Sequence, residues 1–242
     1  MSSTYSIDGR LYSFMIDNGA AGLGRHRDTV NRLNVFPIPD GDTGDNMYLT
    51  IRSGAAACGD GADLGQTAAK ISGGMLPGAH GNSGVILSRI FYGIARGLEG
   101  VVSADVGVFG QAMLSGVKEA YGAVDTPVEG TILTVCRESV ETAVGKSGPG
   151  TTFEEFFTDL VAESRKSLER TPELLETLKE AGVVDSGGAG LMYIFEGMLG
   201  AVEGKKIEYA DESQTKAAAL DFHLSTRTAC SNSDTAPNSF SA

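Results

Sequence analysis

The sequence has few of the residues that mark disulfide, metal and membrane proteins. Tryptophan is absent, and only three cysteines and three histidines occur among 242 residues. Cys58, Cys136 and Cys230 lie far apart and form no CxxC pair, which argues against a disulfide framework and against a cysteine zinc site. No apolar run approaches the ~20 residues that a membrane-spanning helix needs. We therefore expect neither a small disulfide-bonded domain nor a membrane-spanning helix.

Basic residues are also scarce. Lysine and arginine total 19 against 31 aspartates and glutamates, so the formal net charge is −12. A surface for nucleic acid or anionic lipid would need a basic stripe, and the acidic balance argues against both. The first ten residues lack the charged and then apolar layout of a secretion signal. We expect a cytoplasmic protein, and 41% hydrophobic residues suffice for a core in one large domain or two small ones.

Glycine is the residue type in excess. The 33 glycines are roughly twice the ~7% of an average protein, and they gather in a few clusters between helix-like stretches. Glycine permits positive φ and a close approach of the backbone to a ligand. A chain of many helices would also use many glycines as C-terminal caps. Both interpretations stay open for the chain as a whole.

Apolar residues recur three and four positions apart over most of the chain. This spacing, regular over 83–98 and 104–124, predicts helices rather than strands. The patterns together predict an all-α domain of eight or more helices. Further helices are predicted over 7–21, 25–33, 43–57, 63–75, 131–144 and 187–202.

Helix ends are marked most clearly in the last third of this helical part. Thr152 and Glu155 predict a capping box ahead of one apolar stripe. Thr171 followed by Pro172 predicts the start of another short helix, because proline is favoured at the first helical position. Gly182 is expected to end that helix as its C′ residue.

The composition changes after about Tyr209. The remaining residues are rich in Ser, Thr, Ala and Asn, with few large apolar side chains. Such a segment buries too little apolar area to offset its ordering entropy, so 209–242 is predicted to be a disordered tail. A short docked helix over 215–224 is the alternative. The globular unit is then predicted over 5–208, and its only weak β-type run lies at 205–209.

The segment NVFPIPDGDTGDNM, at 34–47, holds the strongest chemical signal. Asp40 and Asp42 stand two apart around a glycine, and Asp45 follows closely. Carboxylates this close repel one another unless they are fully solvated or a cation neutralises them. Oxygen ligands on such a loop suit Mg²⁺. The alternative is an Asp-Gly turn that caps the helix starting near Thr43, with its carboxylates facing water.

A second cluster reads GAHGNSGVIL. Gly78, Gly81 and Gly84 surround Asn82 and Ser83, and a strongly apolar helix follows at once. Small residues before a helix leave free N–H groups at the positive end of the helix dipole, where phosphate oxygens bind. The cluster is neither a Walker A loop nor a Rossmann fingerprint. A tight connection between two helices is the other interpretation.

Two smaller features also precede apolar helices. Asp185, in VVDSGGAGL, can either cap the following helix or reach a ribose hydroxyl or an exocyclic amine. Thr131 is a good N-cap, which needs no further function.

These four motifs, in this order, carry a family resemblance. NVFPIPDGDTGDNM, GAHGNSGVILSRI, EGTILTV and TPELLETLKEAGVVDSGGAGL resemble the nucleotide-binding L domain of dihydroxyacetone kinases. Within that family the sequence is most similar to the N-terminal kinase domain of the bacterial fatty acid kinase A subunit. The likeness spans roughly 5–204. It implies a barrel or bundle of about eight amphipathic antiparallel helices, with ATP and two Mg²⁺ ions at one end.

The resemblance also implies roles for residues of the acidic loop. Asp40 and Asp42 correspond to the paired metal-binding aspartates and are the expected catalytic residues. Dihydroxyacetone kinases carry a further metal-binding aspartate about five residues ahead of this pair. Asn34 occupies that stretch here, so Asn34 or Asp45 is the expected third ligand.

The remaining site residues are implied as nucleotide contacts. They come from the start of the helix after the acidic loop and from the three later motifs. They are Thr43, Asn46, Gly81, Asn82, Ser83, Gly84, Thr131, Asp185, Ser186, Gly187 and Gly188.

Phosphoryl transfer is the activity that the resemblance implies. It leaves little covalent chemistry to the protein, in keeping with the lack of a Ser-His-Asp or Cys-His pattern. Nothing in the chain resembles a sugar-binding subunit, so the acceptor is expected on a partner. Three hypotheses follow: a fatty acid kinase domain served by an acyl-binding protein, a dihydroxyacetone (glycerone) kinase L-type subunit served by a sugar-binding kinase subunit, or a nucleotide-binding module without turnover. A homodimer is a further expectation.

Overall fold

Nine α-helices and two very short strands make up the described part of the computed structural model, residues 3–59 and 61–209. The predicted all-α fold is thereby confirmed. The two strands pair antiparallel, with Ile7 opposite Ala104. In chain order the elements are β1 (Ile7–Asp8), α1 (Gly9–Arg32), α2 (Thr43–Ala57), α3 (Leu64–Met75), α4 (Gly81–Gly97), β2 (Ser103–Ala104), α5 (Val106–Gly122), α6 (Ile132–Lys146), α7 (Phe153–Leu174), α8 (Glu176–Ala181) and α9 (Ser186–Val202).

Side-chain caps begin most of the described helices. The predicted capping box of α7 is present, with Thr152 accepting from the Glu155 N–H and the Glu155 side chain accepting from Thr152. Thr131 caps α6 by accepting from the Leu133 N–H at 3.4 Å, as predicted. Gly182 ends α8 in the left-handed region at φ 66°, which confirms its predicted role as a stop residue.

The structure joins the helices predicted over 7–21 and 25–33 into the single helix α1. Gly22 and Gly24 lie inside it. A Cβ on Gly22 would come within 3.0 Å of the Tyr193 carbonyl oxygen, and one on Gly24 within 2.8 Å of a tyrosine ring in α2. These glycines allow close packing of α1 against α9 and α2. The prediction of two helices was wrong because tertiary packing overrides the local preference of glycine.

The predicted helix start at Thr171 and Pro172 was also wrong, because α7 continues through Pro172 to Leu174. Proline has no N–H for the carbonyl of Leu168, four residues earlier. The Thr171 hydroxyl donates to that carbonyl oxygen instead, at 2.7 Å. The short helix α8 begins only at Glu176.

An aromatic cluster anchors the core between α1, α5 and α7. The Phe109 ring meets Tyr12, Phe153, Phe156 and Phe157 at centroid distances of 6.0, 5.7, 6.4 and 6.1 Å. All five side chains are buried. Each contributes about 1.5–3 kcal/mol by leaving water, so these rings are a main support of the bundle.

A buried polar residue of α1, Asn18, helps to hold the chain after α9. The Asn18 amide donates to the Lys205 carbonyl at 2.7 Å and accepts from the Ile207 N–H at 2.8 Å. The predicted weak β-type run therefore packs on α1 without forming a strand. Apart from Tyr209, the predicted tail (209–242) and its alternative helix (215–224) lie outside the described residues.

Two further findings concern membrane-spanning helices and disulfide bonds, both of which the sequence argued against. Over the described ranges, no helix is both long and apolar enough to cross a bilayer. Cys58 and Cys136 are free thiols, and Cys136 is buried. Cys230 lies outside the described residues.

Candidate functional site

A cleft of about 630 Å³ gathers segments that are far apart in sequence. It lies between the acidic loop, the start of α4, the loop from α5 to α6 and the start of α9. All but three of the residues predicted for the site line it. These are Asn34, Asp40, Asp42, Thr43, Asn46, Gly81, Asn82, Ser83, Thr131, Asp185, Ser186 and Gly187.

Four helices begin at this cleft. Thr43 of α2, Gly81 of α4, Ile132 of α6 and Ser186 of α9 are the first residues of their helices, and all four line it. The first N–H groups of a helix have no partner within the helix and lie at its positive dipole end. Four positive dipole ends around one cleft favour a negatively charged ligand there, although side chains also accept from N–H groups at the starts of α2, α6 and α9.

The acidic loop is shaped by Asn34. Its side-chain oxygen accepts from the N–H groups of Gly41 and Asp42, at 3.0 and 3.2 Å, and its amide donates to the Ile38 carbonyl at 3.1 Å. Asn34 is 7% exposed. Its side-chain oxygen is engaged with the loop backbone, and its predicted role as a metal ligand stays a prediction.

The start of α2 is capped from another helix. The side-chain oxygen of Asn31, in α1, accepts from the N–H groups of Gly44 and Asp45 at 2.7 and 3.2 Å. Asp42 precedes α2 but makes no side-chain cap bond. Asp42 therefore does not cap α2 through its side chain, and its residue lines the cleft. The Asp-Gly turn stays the alternative for this loop. Sequence reasoning missed Asn31 because nothing local marks a cap that comes from a different helix.

Asp45 does not line the cleft. Its carboxylate pairs with the Arg27 guanidinium at 3.0 Å and accepts from the Asn31 amide at 3.0 Å. No group of three or more His, Cys, Asp or Glu suited to a metal is found in 3–59 and 61–209. Asp40 and Asp42 are thus the acidic pair that this loop presents to the cleft.

The glycine cluster at α4 serves packing as well as the cleft. Gly81 has φ +57° and lies against the Asn46 amide, and a Cβ on Gly84 would come within 2.5 Å of the Thr50 hydroxyl oxygen. That hydroxyl accepts from the His80 N–H at 3.3 Å. Gly84, buried and outside the lining, therefore holds α4 tightly against α2. The helix–helix connection exists, and it sets the first turn of α4 at the cleft.

Asp185 links two helix starts at the cleft. Its carboxylate accepts from the Gly188 N–H at 2.7 Å and from the Ile132 N–H, so it caps α9 and reaches the start of α6. Its own N–H donates to the Thr171 hydroxyl at 3.0 Å. Capping, one of its two predicted roles, is confirmed. Gly188 lies outside the lining and packs on α6.

The starts of α2 and α9 are joined directly. The Ser186 hydroxyl donates to the Thr43 hydroxyl oxygen at 3.2 Å, and both side chains are buried. Two residues that sequence reasoning placed in one site from motifs far apart are therefore in contact.

Known proteins are similar to this chain in sequence and in fold. Residues 37–200 match the DAK2 domain family. The chain belongs to the DAK2 domain family. An uncharacterized protein of Staphylococcus saprophyticus is 43% identical over 223 residues, which cover 90% of this DAK2 chain and 40% of the relative. An uncharacterized protein of Staphylococcus aureus strain USA300 is 43% identical over 204 residues, covering 84% of this chain and 37% of the relative. The DAK2 chain thus spans about 40% of the length of such relatives.

Solved structures share the fold of this DAK2 domain. The crystal structure of the dihydroxyacetone kinase from C. freundii in complex with AMP-PNP and Mg²⁺ superposes with a TM-score of 0.59 at 20% identity, over 77% of this chain and 33% of that one. The native form of that enzyme gives 0.57 at 19% identity, over 82% and 35%. The predicted resemblance to dihydroxyacetone kinases is confirmed at the level of the fold.

Sequence reasoning missed one wall of the DAK2 cleft. The loop from α5 to α6 contributes several residues, and apolar side chains from three segments join it. They are Ala123, Val124, Asp125, Thr126 and Val128 from the loop, with Phe36, Pro37, Ile38, Val85, Ile86, Ile132 and Leu133. The described lining includes no Lys, Arg or His. The loop residues carried no signal because apolar and turn residues of this kind are common in any helical domain. The other seven lie within the quoted motifs but were not assigned to the site.

Burial shifts the acidity of Asp185. Its side chain is almost fully enclosed, which raises its pKa from 3.8 to about 6, although the N–H groups of Gly188 and Ile132 lower it in part. The folded DAK2 domain therefore binds this proton more tightly than the unfolded chain. The stability linked to Asp185 is complete below about pH 4 and is lost as the pH rises through about 6.

We expect Asp185→Asn to flatten this pH dependence. Asparagine still accepts from the Gly188 N–H but does not titrate, so the fall in unfolding free energy between pH 4 and 7 should shrink by up to about 3 kcal/mol. Urea unfolding at pH 4, 5, 6 and 7 measures it. Asp105→Asn, at an exposed cap of α5, is the matched control. Parallel curves for wild type and Asp185→Asn would contradict the assignment.

Proposed function

We propose that this DAK2 domain is an ATP- and Mg²⁺-dependent phosphotransferase whose acceptor is a fatty acid presented by a separate acyl-binding protein. The observation that carries the proposal is the cleft at which four helix starts meet Asp40 and Asp42. An anion site and a pair of oxygen ligands for a cation stand side by side there. This combination suits a nucleotide triphosphate that arrives with Mg²⁺.

The charges of the cleft fit a divalent cation. Asp40, Asp42, Asp125 and Asp185 line it, and no basic side chain does so among the described residues. A triphosphate is itself highly negative, so these carboxylates would repel it without a cation between them. Asp40 and Asp42 would hold Mg²⁺, which when bound neutralises charge on the phosphate oxygens. Two ions is the number that the family resemblance implies.

The protein's own part in transfer is binding and orientation. Backbone N–H groups in the first turn of α4, at Gly81, Asn82 and Ser83, would bind phosphate oxygens and stabilise their charge during transfer. The starts of α6 and α9, at Thr131 and Ser186, would help to orient the nucleotide. Apolar lining residues would keep bulk water away from the transferred group.

The choice of acceptor rests on the motifs. The sequences of two motifs, FPIPDGDTG and VVDSGGAGL, favour a fatty acid kinase domain over a sugar kinase subunit. The acyl chain would then come on an acyl-binding partner. The second candidate is a dihydroxyacetone kinase L-type subunit with a sugar-binding partner, which the fold shared with the C. freundii enzyme supports. We propose a cytoplasmic location in either case, since ATP is supplied there.

Transfer of label from [γ-³²P]ATP tests the proposal. We expect Mg²⁺-dependent labelling of a fatty acid only when an acyl-binding protein loaded with it is present, with none after addition of EDTA. Labelling of dihydroxyacetone with a sugar-binding subunit would replace the first candidate with the second. Binding of Mg-ATP without labelling of either acceptor would refute the proposed phosphotransferase activity. The domain would then be a nucleotide-binding module without turnover. Light scattering on the same sample tests the expected homodimer.

A further inference from the structure

The loop between α5 and α6 forms a wall of the cleft. Its first two residues, Ala123 and Val124, still donate their N–H groups to carbonyls of α5, at 3.3 and 3.4 Å, and the helix resumes at Ile132. Residues 123–126, together with Val128 and Thr131, line the cleft. Within the loop, the Thr131 hydroxyl donates to the Val128 carbonyl at 2.7 Å. The position of the wall therefore depends on how the two ends of the loop are tied to the helices.

Glu129 ties both ends together. One carboxylate oxygen accepts from the Tyr121 hydroxyl, in the last turn of α5, at 2.9 Å. The other accepts from the Thr134 hydroxyl at 2.6 Å and from the Arg137 guanidinium at 3.0 Å, both in α6. Arg137 also donates to the Tyr121 oxygen at 3.0 Å. We call these four residues, Tyr121, Glu129, Thr134 and Arg137, the loop clasp.

Both hydroxyl groups of the loop clasp donate one hydrogen bond and accept another. Tyr121 gives its proton to Glu129 and receives one from Arg137, while Thr134 gives its proton to Glu129 and receives the Gly130 N–H at 2.8 Å. Thr134 is fully buried. Loss of the Glu129 carboxylate would leave the buried Thr134 hydroxyl and the Arg137 guanidinium without this acceptor. The hydrogen bonds of the loop clasp therefore depend on one another.

The charge state of the clasp matches this arrangement. Burial alone would raise the pKa of Glu129, but hydrogen bonds from Thr134, Tyr121 and Arg137 outweigh it and lower that pKa. Burial raises the pKa of Tyr121 to about 12, despite the opposing bond from Arg137. Glu129 is thus ionised and Tyr121 protonated at neutral pH. Arg137 faces two more carboxylates, those of Glu138 and Glu141, at 3.9 and 3.7 Å.

We infer that Glu129 is a positioning residue for the nucleotide site. This inference rests on the proposed function. Neither Glu129 nor Arg137 lines the cleft, so both act through the loop that does. By fixing the distance between Tyr121 and Thr134, the carboxylate sets the wall at 123–128 and the start of α6 before the nucleotide arrives. Nucleotide binding then does not incur the entropic cost of ordering the loop.

Nucleotide kinetics of Glu129→Ala test this role. We expect the KM for Mg-ATP, and the Kd of a fluorescent ATP analogue, to rise about tenfold, as for loss of hydrogen bonds to a charged group. Because no contact with the reacting atoms is lost, kcat should change by less than about twofold. Tyr121→Phe, which removes a single hydroxyl, should give a smaller rise. Asp159→Ala is the control, since it breaks the exposed Lys146–Asp159 pair of 2.7 Å at the other end of α6.

Amide hydrogen exchange without nucleotide separates this inference from the proposed function. We expect exchange at 123–131 to quicken at least about fivefold in Glu129→Ala, while α7 and α9 keep the wild-type rate. Failure of the wild type to bind Mg-ATP would refute the proposed function. The exchange result would still show whether the loop clasp orders residues 123–131. Unchanged exchange at 123–131, or faster exchange with an unchanged Kd in a protein that binds Mg-ATP, would overturn the positioning role.

Discussion

Replacement of Asp42 by alanine is expected to lower Mg²⁺-dependent ATP turnover by about 10²–10³-fold, as for loss of a group that stabilises developing charge. The Asp42 carboxylate lines the cleft and is not used as a cap, because Asn31 caps α2 in its place. The variant should therefore keep its fold, with an unfolding free energy within about 0.5 kcal/mol of wild type. Asp40→Ala should behave in the same way. Calorimetric titration with Mg-ATP and thermal melting measure both effects.

The controls for this experiment are other aspartates. Asp28 is exposed on α1 and does not line the cleft, so Asp28→Ala should bind Mg-ATP like wild type. Asp45→Ala decides between two roles: lost binding would make Asp45 the third metal ligand, and retained binding would assign it to the Arg27 ion pair. Normal Mg-ATP binding by Asp42→Ala would refute the metal role of the acidic loop.

The second large effect is expected at the start of α4. Ser83 is half-buried and lines the cleft, so the indole of Ser83→Trp has room to project into the space that phosphate oxygens would occupy. We expect this variant to lose Mg-ATP binding, with unfolding free energy within about 0.5 kcal/mol of wild type. Calorimetric titration and urea unfolding measure the two quantities.

Gly84→Val is the matched variant at the next position. A Cβ on Gly84 would lie 2.5 Å from the Thr50 hydroxyl oxygen and 3.3 Å from the Asn46 carbonyl oxygen. Overpacking of this kind should lower the unfolding free energy by about 1–3 kcal/mol. If Ser83→Trp were the variant that unfolds, the cluster would be a packing junction alone. If both variants bound Mg-ATP like wild type, the phosphate role of this helix start would be wrong.

Much of the fold was predictable because its signals are local. The capping box of Thr152 and Glu155, the cap at Thr131 and the stop at Gly182 each involve groups within four residues of one another. Hydrogen bonds over that distance form wherever the chain turns into a helix, so residue type and spacing suffice to predict them. The same holds for the capping role of Asp185.

The errors and omissions have two causes, a local exception to a helix rule and contacts between segments that are distant in sequence. Pro172 continues α7 because the Thr171 hydroxyl satisfies the carbonyl that proline leaves free. Asn31 caps α2 from α1, which no motif around Thr43 reveals. The wall at 123–128 has no residue type that marks a site. The bond of Thr171 is local but overrides the usual preference for proline at a helix start. The cap from Asn31 depends on a partner 13 residues away, and the wall at 123–128 becomes part of a site only through packing.

By itself, the sequence determined that the domain is helical, where most helices begin and which acidic and glycine-rich segments precede them. Apolar spacing and short-range hydrogen bonds encode all of this. Only the tertiary structure decided that four of those helix starts share one cleft, that Arg27 pairs with Asp45, and that Asp40 and Asp42 are the acidic pair of the 34–47 loop facing that cleft. Burial of apolar faces brings these distant groups together, and such packing acts between residues that no short motif connects.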